Sequence, residues 1–381
     1  MHGRRNLVKY LVIAFFFFSC QHVFPMMQEG TYLIPTDTAK EKQRENKRAE
    51  SLKFDAGKMI LEHVTDTHEW HIFTLGTTDI TIPLPVILFH DRHLYTFWSS
   101  NFHNSSHAYK GFSIAEEGPD KGKIVKLKTD IMGGTNSPVY DFSITKTVFS
   151  ILFSSILLII IFITVANAYR SNKGQAPKGL QNAMEPFILF VRDDVAKSSI
   201  GEKKYEKYVP YLLTIFFFIL FNNLLGIIPI FPGGANVTGN IAVTGVMAAC
   251  TLIITTFSAN RHYWVDIINT PGVPWWLKIP IPLMPVVEFI SVLTKPFVLM
   301  VRLFANMLAG HIVILGFISI IFIFGAMAAS LGYGVSIVSL LFMVFMDLLE
   351  VLVALIQAYV FTLLSALYFG LASAEPEHHK Q

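Results

Sequence analysis

Residues 281–372 carry only five Asp, Glu, Lys or Arg side chains: Glu288, Lys295, Arg302, Asp347 and Glu350. A stretch that apolar has too little polar surface to fold as a small domain in water, and the solvent it suits is the hydrocarbon core of a bilayer. The chain of 381 residues is 52% hydrophobic and 15% charged, with a formal net charge of +3. An ordinary soluble domain is about 25% charged. This balance excludes a disordered chain, a coiled coil and a nucleic-acid binder with a basic face. Cys20 and Cys250 both lie in apolar segments and do not form a disulfide framework.

Residues 1–20 read as a signal peptide, with Arg4, Arg5 and Lys9 before the short apolar run LVIAFFFF. Ser19-Cys20 is a poor lipoprotein cleavage site, because bulky Phe17 and Phe18 precede it. Lipidation at Cys20 and an uncleaved first helix stay open as alternatives. Residues 27–140 differ. The charged run at 39–53 predicts a solvated linker or exposed helix. EWHIFTL, DITIPLPVILFH, HLYTFWSS and KIVKLK follow, rich in Ile, Val, Tyr and Phe and separated by turn formers. They predict a small β-rich domain outside the membrane. Its histidines include the spaced pairs His68/His71 and His90/His93. No Cys or carboxylate framework accompanies them, so they are expected to be surface or locally bonded residues rather than metal ligands.

Five apolar segments follow, at about 146–169, 208–231, 239–259, 282–328 and 335–372. The fold expected is an all-α polytopic membrane protein over residues 145–375, carrying that β-rich domain at its N-terminus. The connection at 170–207 holds Arg170, Lys173, Lys178, Arg192, Lys197, Lys203, Lys204 and Lys207. By the positive-inside rule it is cytoplasmic. The uncharged loops at 232–238 and 329–334 then fall outside, while Arg261, Lys278 and the C-terminal tail fall inside. The last two segments exceed one perpendicular crossing: at 1.5 Å per residue they run to roughly 70 Å and 57 Å, against about 30 Å of hydrocarbon. A long, tilted antiparallel hairpin accommodates them, with Gly332 and Gly334 at its tip.

The charges inside these segments carry the functional signal. An arginine keeps its charge under protein conditions, and at membrane depth costs at least about 2.5–3.5 kcal/mol. Arg302 lies 20 residues into its segment with apolar neighbours, too far from either end to snorkel easily. At 100° per residue Glu288, Lys295 and Asn306 fall within about 40° of Arg302, whereas His311 points about 180° away. In the last segment Glu350 and Gln357 share a face, with Asp347 within about 60°. Folding the hairpin at its tip pairs His311 with Glu350 at one depth. It pairs Arg302 with Gln357 about 13 Å deeper. A histidine beside a carboxylate at membrane depth makes a good proton relay, because imidazole loads and releases protons near neutrality. A buried contact that fixes helix packing is the plainer reading. Asn223 is a third intramembrane polar group, and Thr244 a weaker one, since Thr hydroxyls often bond their own helix.

RLFANMLAGH (302–311), EFISVLTKP (288–296), FNNLLGIIPI (221–230) and ALIQAYVFTLLSALY (354–368) together resemble subunit a of F-type ATP synthases, over about 145–375. The resemblance implies that Arg302 is the arginine facing the essential carboxylate of the rotating c-subunit ring. It implies that Gln357 and Asn306 lie near that arginine, and that Asn223 lines the outer half-channel. Glu288 and Thr244 join the proton pathway on this reading. The family's usual Glu and His are exchanged here as His311 and Glu350, and Gly226 stands where some members carry Asp.

The implied role is to supply two proton half-channels that couple proton flow to ATP synthesis, with no catalytic site of its own and no cofactor or metal. The implied partners are the c-subunit ring, the b subunits of the peripheral stalk, the other ATP synthase subunits and the lipid bilayer, with no nucleic acid. The implied location is a bacterial inner membrane, with the N-terminal domain outside and the C-terminus cytoplasmic. The alternatives are a Na⁺-translocating form of the same subunit, an ion-coupled secondary transporter and a structural membrane anchor. The sequence shows no internal repeat or broken midplane helix of the kind transporters use.

Overall fold

In the computed structural model, residues 55–374 are described apart from 76–77, 104–107, 116–121, 127–136, 172–174, 229–230 and 269–282. The expected signal peptide, Cys20 and the charged run at 39–53 lie outside the described residues. The chain divides into two compact units, residues 1–149 with 229–231, and residues 150–228 with 232–381.

The first unit holds helix α1 (Ala56–Val64) and three small antiparallel sheets. β1 (Glu69–Leu75) pairs with β2 (Thr78–Pro83). β3 (Pro85–His90) lies between β4 (His93–Trp98) and β9 (Tyr140–Asp141). β5 (Ala108–Tyr109), β6 (Phe112–Ile114), β7 (Ile124–Lys126) and β8 (Ser137–Pro138) form the third sheet in chain order. The alternation of β3 explains its place: Val86 and Leu88 point inward, 1% and 0% exposed, and pack with Phe102, Phe112 and Ile124. The β3–β4 connection is two residues, Asp91 and Arg92, both at positive φ (50° and 62°). That is the twist a tight hairpin needs. His68 Nε2 sits 2.7 Å from Asp141 Oδ2, and His90 Nε2 sits 3.0 Å from Asp91 Oδ2, so these histidines have local carboxylate partners. Burial works against the charge on Asp141, but hydrogen bonds from His68 and Ser143 outweigh it and hold the carboxyl below its ordinary range.

Helix α2 (Lys146–Ser171) starts within this unit. Asp66 accepts from the Thr145 hydroxyl at 2.8 Å and from the Thr147 amide at 3.0 Å. The Trp70 ring meets Phe149 and Phe231 edge-on.

The second unit is helical, and among the described residues five helices are long and apolar enough to cross a membrane. They are α2, α4 (Val209–Ile227), α5 (Ile241–Ser258), α7 (Leu283–Met327) and α8 (Ala329–Ser373). The chain is therefore a multi-pass membrane protein. Pro210 opens α4, where its missing N–H costs nothing. The Asn240 side chain caps α5 by accepting from Ala242 N at 3.0 Å. At the end of α8, Lys204 Nζ and Asn260 Nδ2 each donate to the Ser373 carbonyl at 2.9 Å, satisfying an acceptor the helix leaves open.

The 170–207 connection has more structure than its charge suggested. It contains helix α3 (Leu180–Leu189), a π-helical stretch Phe190–Lys197 and the turn Ser198–Ile200. Val191, Val195 and Ala196 from it join a core with Leu212, Phe216, Leu303 and Phe369. A short helix α6 (Arg261–Ile268) follows α5.

α7 and α8 are 45 residues each and are joined by Ala328 alone, in extended backbone (φ −161°, ψ 135°). Gly332 and Gly334, expected at the tip, lie instead inside the first turns of α8. Gly332 N donates to Ala328 O at 3.0 Å, and neither glycine has a positive φ. One residue leaving helical geometry is enough to end α7, so glycine's freedom is not used there. The helices pack on each other, and Phe317 stacks on Phe342 with centroids 5.5 Å apart.

Candidate functional site

α7 shows two contrasting faces around Arg302. Leu299, Leu303 and Met307, spaced four apart, are each 1% exposed and face the core. Arg302 and Asn306 are exposed, beside exposed Val298, Val301 and Ala305. Among the described residues Arg302 has no hydrogen-bond or ion-pair partner, and Tyr368 lies within reach of its charge. Gln357 is buried on α8, and no hydrogen bond joins it to Arg302 among the described residues. Farther toward the start of α7, Lys295 Nζ lies 5.9 Å from the centre of the Tyr368 ring. Lys295, Tyr368, Thr255 and Tyr263 line a small cleft. Glu288 is half-buried beside it. Burial, and then the Glu288 charge, push the Tyr263 phenol upward.

Nine residues beyond Arg302, the polar groups form a buried cluster. His311 Nδ1 lies 2.7 Å from Glu350 Oε1, with the two side chains only 15% and 4% exposed. That is an ion-pair distance reached off the hydrogen-bond direction. Both ring nitrogens and both carboxylate oxygens are thus without hydrogen-bond partners among the described residues. Gly310 lets the carboxylate approach, since a Cβ there would sit 2.8 Å from Glu350 Oε1. Gly226 packs against the same ring: a Cβ there would be in ordinary contact with His311 Nε2 at 3.7 Å, and tight only against the Ala235 carbonyl at 3.3 Å. The Thr238 hydroxyl donates to Asn223 Oδ1 at 2.5 Å, and both residues are buried. Asn223 Nδ2 and Asn236 Nδ2 are buried without partners among the described residues. Buried polar atoms normally find a protein or water partner. His311, Glu350, Asn223 and Asn236 thus concentrate unpartnered polar atoms in one part of an apolar bundle. Asp347 lies within electrostatic reach of both His311 and Glu350.

The structure thus brings His311 and Glu350 into contact and Asn223 into the Gly226 neighbourhood on α4. It leaves Arg302 and Asn306 on a separate, open face. Thr244 is fully buried, and its hydroxyl reaches the Asn240 and Ile241 carbonyls at 3.4 and 3.2 Å, bonding its own helix. Three polar residues were not singled out from the sequence: Asn236, Thr238 and Tyr368. The first two sit in the uncharged connection between α4 and α5, which reads as an ordinary loop. Tyr368 had a usable signal, because 11 residues is about three helical turns and places it on the Gln357 face.

Residues 148–370 match the family described as ATP synthase A chain. Residues 59–142 match a Domain of unknown function (DUF8433). ATP synthase subunit a of Chloroherpeton thalassium is 44% identical over 262 residues, covering 67% of this chain and 72% of that protein. ATP synthase subunit a 2 of Prosthecochloris aestuarii is 44% identical over 258 residues, covering 67% and 74%. ATP synthase subunit a of Myxococcus xanthus is 42% identical over 245 residues, covering 63% and 76%.

Proposed function

The chain belongs to the ATP synthase A chain family, and we propose that it is the stator subunit through which protons reach and leave a rotating ring of c subunits. The observation that carries this is Arg302: a permanent cation, exposed on a membrane-spanning helix, with no anionic partner among the described residues. Such a charge is tolerated at depth when an opposite charge meets it, and the carboxylate of a c subunit is that charge.

A proton enters from the outer side past Asn223 and the 232–240 connection, and passes the His311–Glu350 pair. It neutralises the c-subunit carboxylate, which then rotates into lipid. After nearly a full turn that carboxylate ionises into an inner half-channel lined by Glu288, Lys295 and Tyr368. Arg302, with Asn306 and Gln357 near it, stands between the two paths. It favours an ionised carboxylate opposite it and repels a proton crossing directly. Each proton falling through 100 mV supplies about 2.3 kcal/mol. Glu350 reaching His311 at 2.7 Å supports a proton relay, and a histidine–carboxylate pair suits H⁺ better than Na⁺. The chain itself performs no bond chemistry.

On this reading α7 and α8 form a long, tilted antiparallel hairpin against the ring. The chain sits in a bacterial inner membrane with the β-rich unit outside and the C-terminus in the cytoplasm. Its partners are the c ring, the b subunits of the peripheral stalk and the remaining ATP synthase subunits. Purifying the tagged chain from mildly solubilised membranes tests it: a c ring and an ATP-hydrolysing head are expected to co-purify. A chain that purifies without either contradicts the proposal.

A further inference from the structure

The proton path leaves the first unit unused, and that unit carries an apolar surface of its own. In the three-stranded sheet one face is the core, with Val86 and Leu88. On the other face five large side chains are open: Tyr140 (72% exposed), Phe142 (66%), Leu94 (64%), Trp98 (58%) and Phe89 (40%). The register makes them one patch. Tyr140 pairs with Phe89, and Phe89 with Leu94, forming a row across all three strands. Trp98 pairs with Pro85 two steps down β3, and side chains two apart on a strand share a face. Soluble proteins seldom leave aromatic patches of this kind uncovered.

The covalent path says what covers it. Beyond β9 the chain keeps pairing with β3: Phe142 N donates to Ile87 O at 2.9 Å, and Ile144 N donates to Pro85 O at 3.0 Å. Membrane-spanning α2 begins two residues later, at Lys146, and its first turn is held to this unit by Asp66. The sheet therefore runs without a linker into a helix that enters the bilayer. Trp98 lies in the row beside Ile144, at the end nearest that entry. Tyr140, Phe89 and Leu94 lie about 13 Å farther along the strands, so all these side chains share one depth when the strands run along the membrane plane. The polar interface of a bilayer is roughly 5–8 Å deep on each side, and Trp and Tyr concentrate there because their rings are amphipathic.

We propose that this face of the β3–β4–β9 sheet lies on the lipid headgroup region and anchors the first unit to the bilayer around the entry of α2. The five open side chains of this face are aromatic or aliphatic and none is cationic, which makes the occupant the lipid interface itself rather than a particular headgroup.

The test uses the complete ATP synthase complex in phosphatidylcholine vesicles brominated near the glycerol end of the acyl chains. Trp98 emission is taken as the difference between wild type and Trp98→Phe, a mild change at an exposed site. The proposal expects that difference emission to fall to roughly half relative to unbrominated vesicles, with little quenching by aqueous iodide. Quenching by iodide without bromolipid quenching overturns it in favour of an open aqueous face. Protection from both quenchers overturns it in favour of a covering protein.

Discussion

Arg302→Ala is expected to lower proton-driven ATP synthesis by at least about a hundredfold while the complex still assembles. Removing one well-placed charge-stabilising donor commonly costs about a hundred- to a thousandfold. The physical basis is similar in size here. A guanidinium about 4 Å from a carboxylate, at an effective dielectric near 20, is worth about 4 kcal/mol, or roughly three units in the carboxylate's ionisation equilibrium. Without it the c-subunit carboxylate stays protonated as it passes, and no net step is enforced. Assembly is expected to survive because Arg302 is exposed and has no hydrogen-bond or ion-pair partner among the described residues, in contrast to the buried Leu299, Leu303 and Met307. The readout is ATP synthesis in energised membrane vesicles, with the amount of assembled complex measured in parallel. Wild-type coupling in the variant would sink the assignment.

Exchanging the relay pair gives the second large effect. His311→Glu alone places two carboxylates at the same buried spot, where they cannot both ionise, so one is forced neutral. Glu350→His alone leaves two imidazoles and removes the buried anion that attracts the proton. Each single change is expected to cut proton conduction at least about tenfold, on the scale of lost acid–base function. The double exchange restores one acid and one base at the 2.7 Å contact and is expected to recover several-fold over either single variant. Non-additivity of this kind is what direct contact produces. Equal losses in all three variants would mean that the two groups act independently.

The sequence revealed most of the membrane architecture because burying charge in lipid is so costly that few charges survive there without a reason. Five spans, the Arg302 stripe and the depth pairing of His311 with Glu350 all follow from that constraint and from helical geometry. The strands from Glu69 to Trp98 were visible because their apolar positions alternate and Pro and His-Asp-Arg-His punctuate them. What escaped was set by tertiary packing. The tip glycines suggested a turn, but Ala328 suffices, since the helix restarts at once by accepting Gly332 N. The 170–207 connection looked like a solvated basic loop, yet Val191 and Val195 fold into the core. Asn236 and Thr238 gave no periodic signal, as a short loop has none to give. The Thr244 hydroxyl bonds its own helix backbone, as its residue type led one to expect. The apolar outer face of the β3–β4–β9 sheet was hidden for another reason: β9 joins β3 across some 50 residues, and only the register shows that Tyr140 and Phe142 extend the face of Phe89 and Leu94.

The Arg302 face of α7 is expected to meet a c subunit. Cysteine cross-linking tests it most directly, using Ala305→Cys on the exposed face and Leu303→Cys on the buried face, each with a cysteine placed beside the essential carboxylate of the c subunit. A disulfide from position 305 and none from position 303 is the predicted result. Cross-linking from neither position, or from 303 alone, in a complex that still assembles would contradict it.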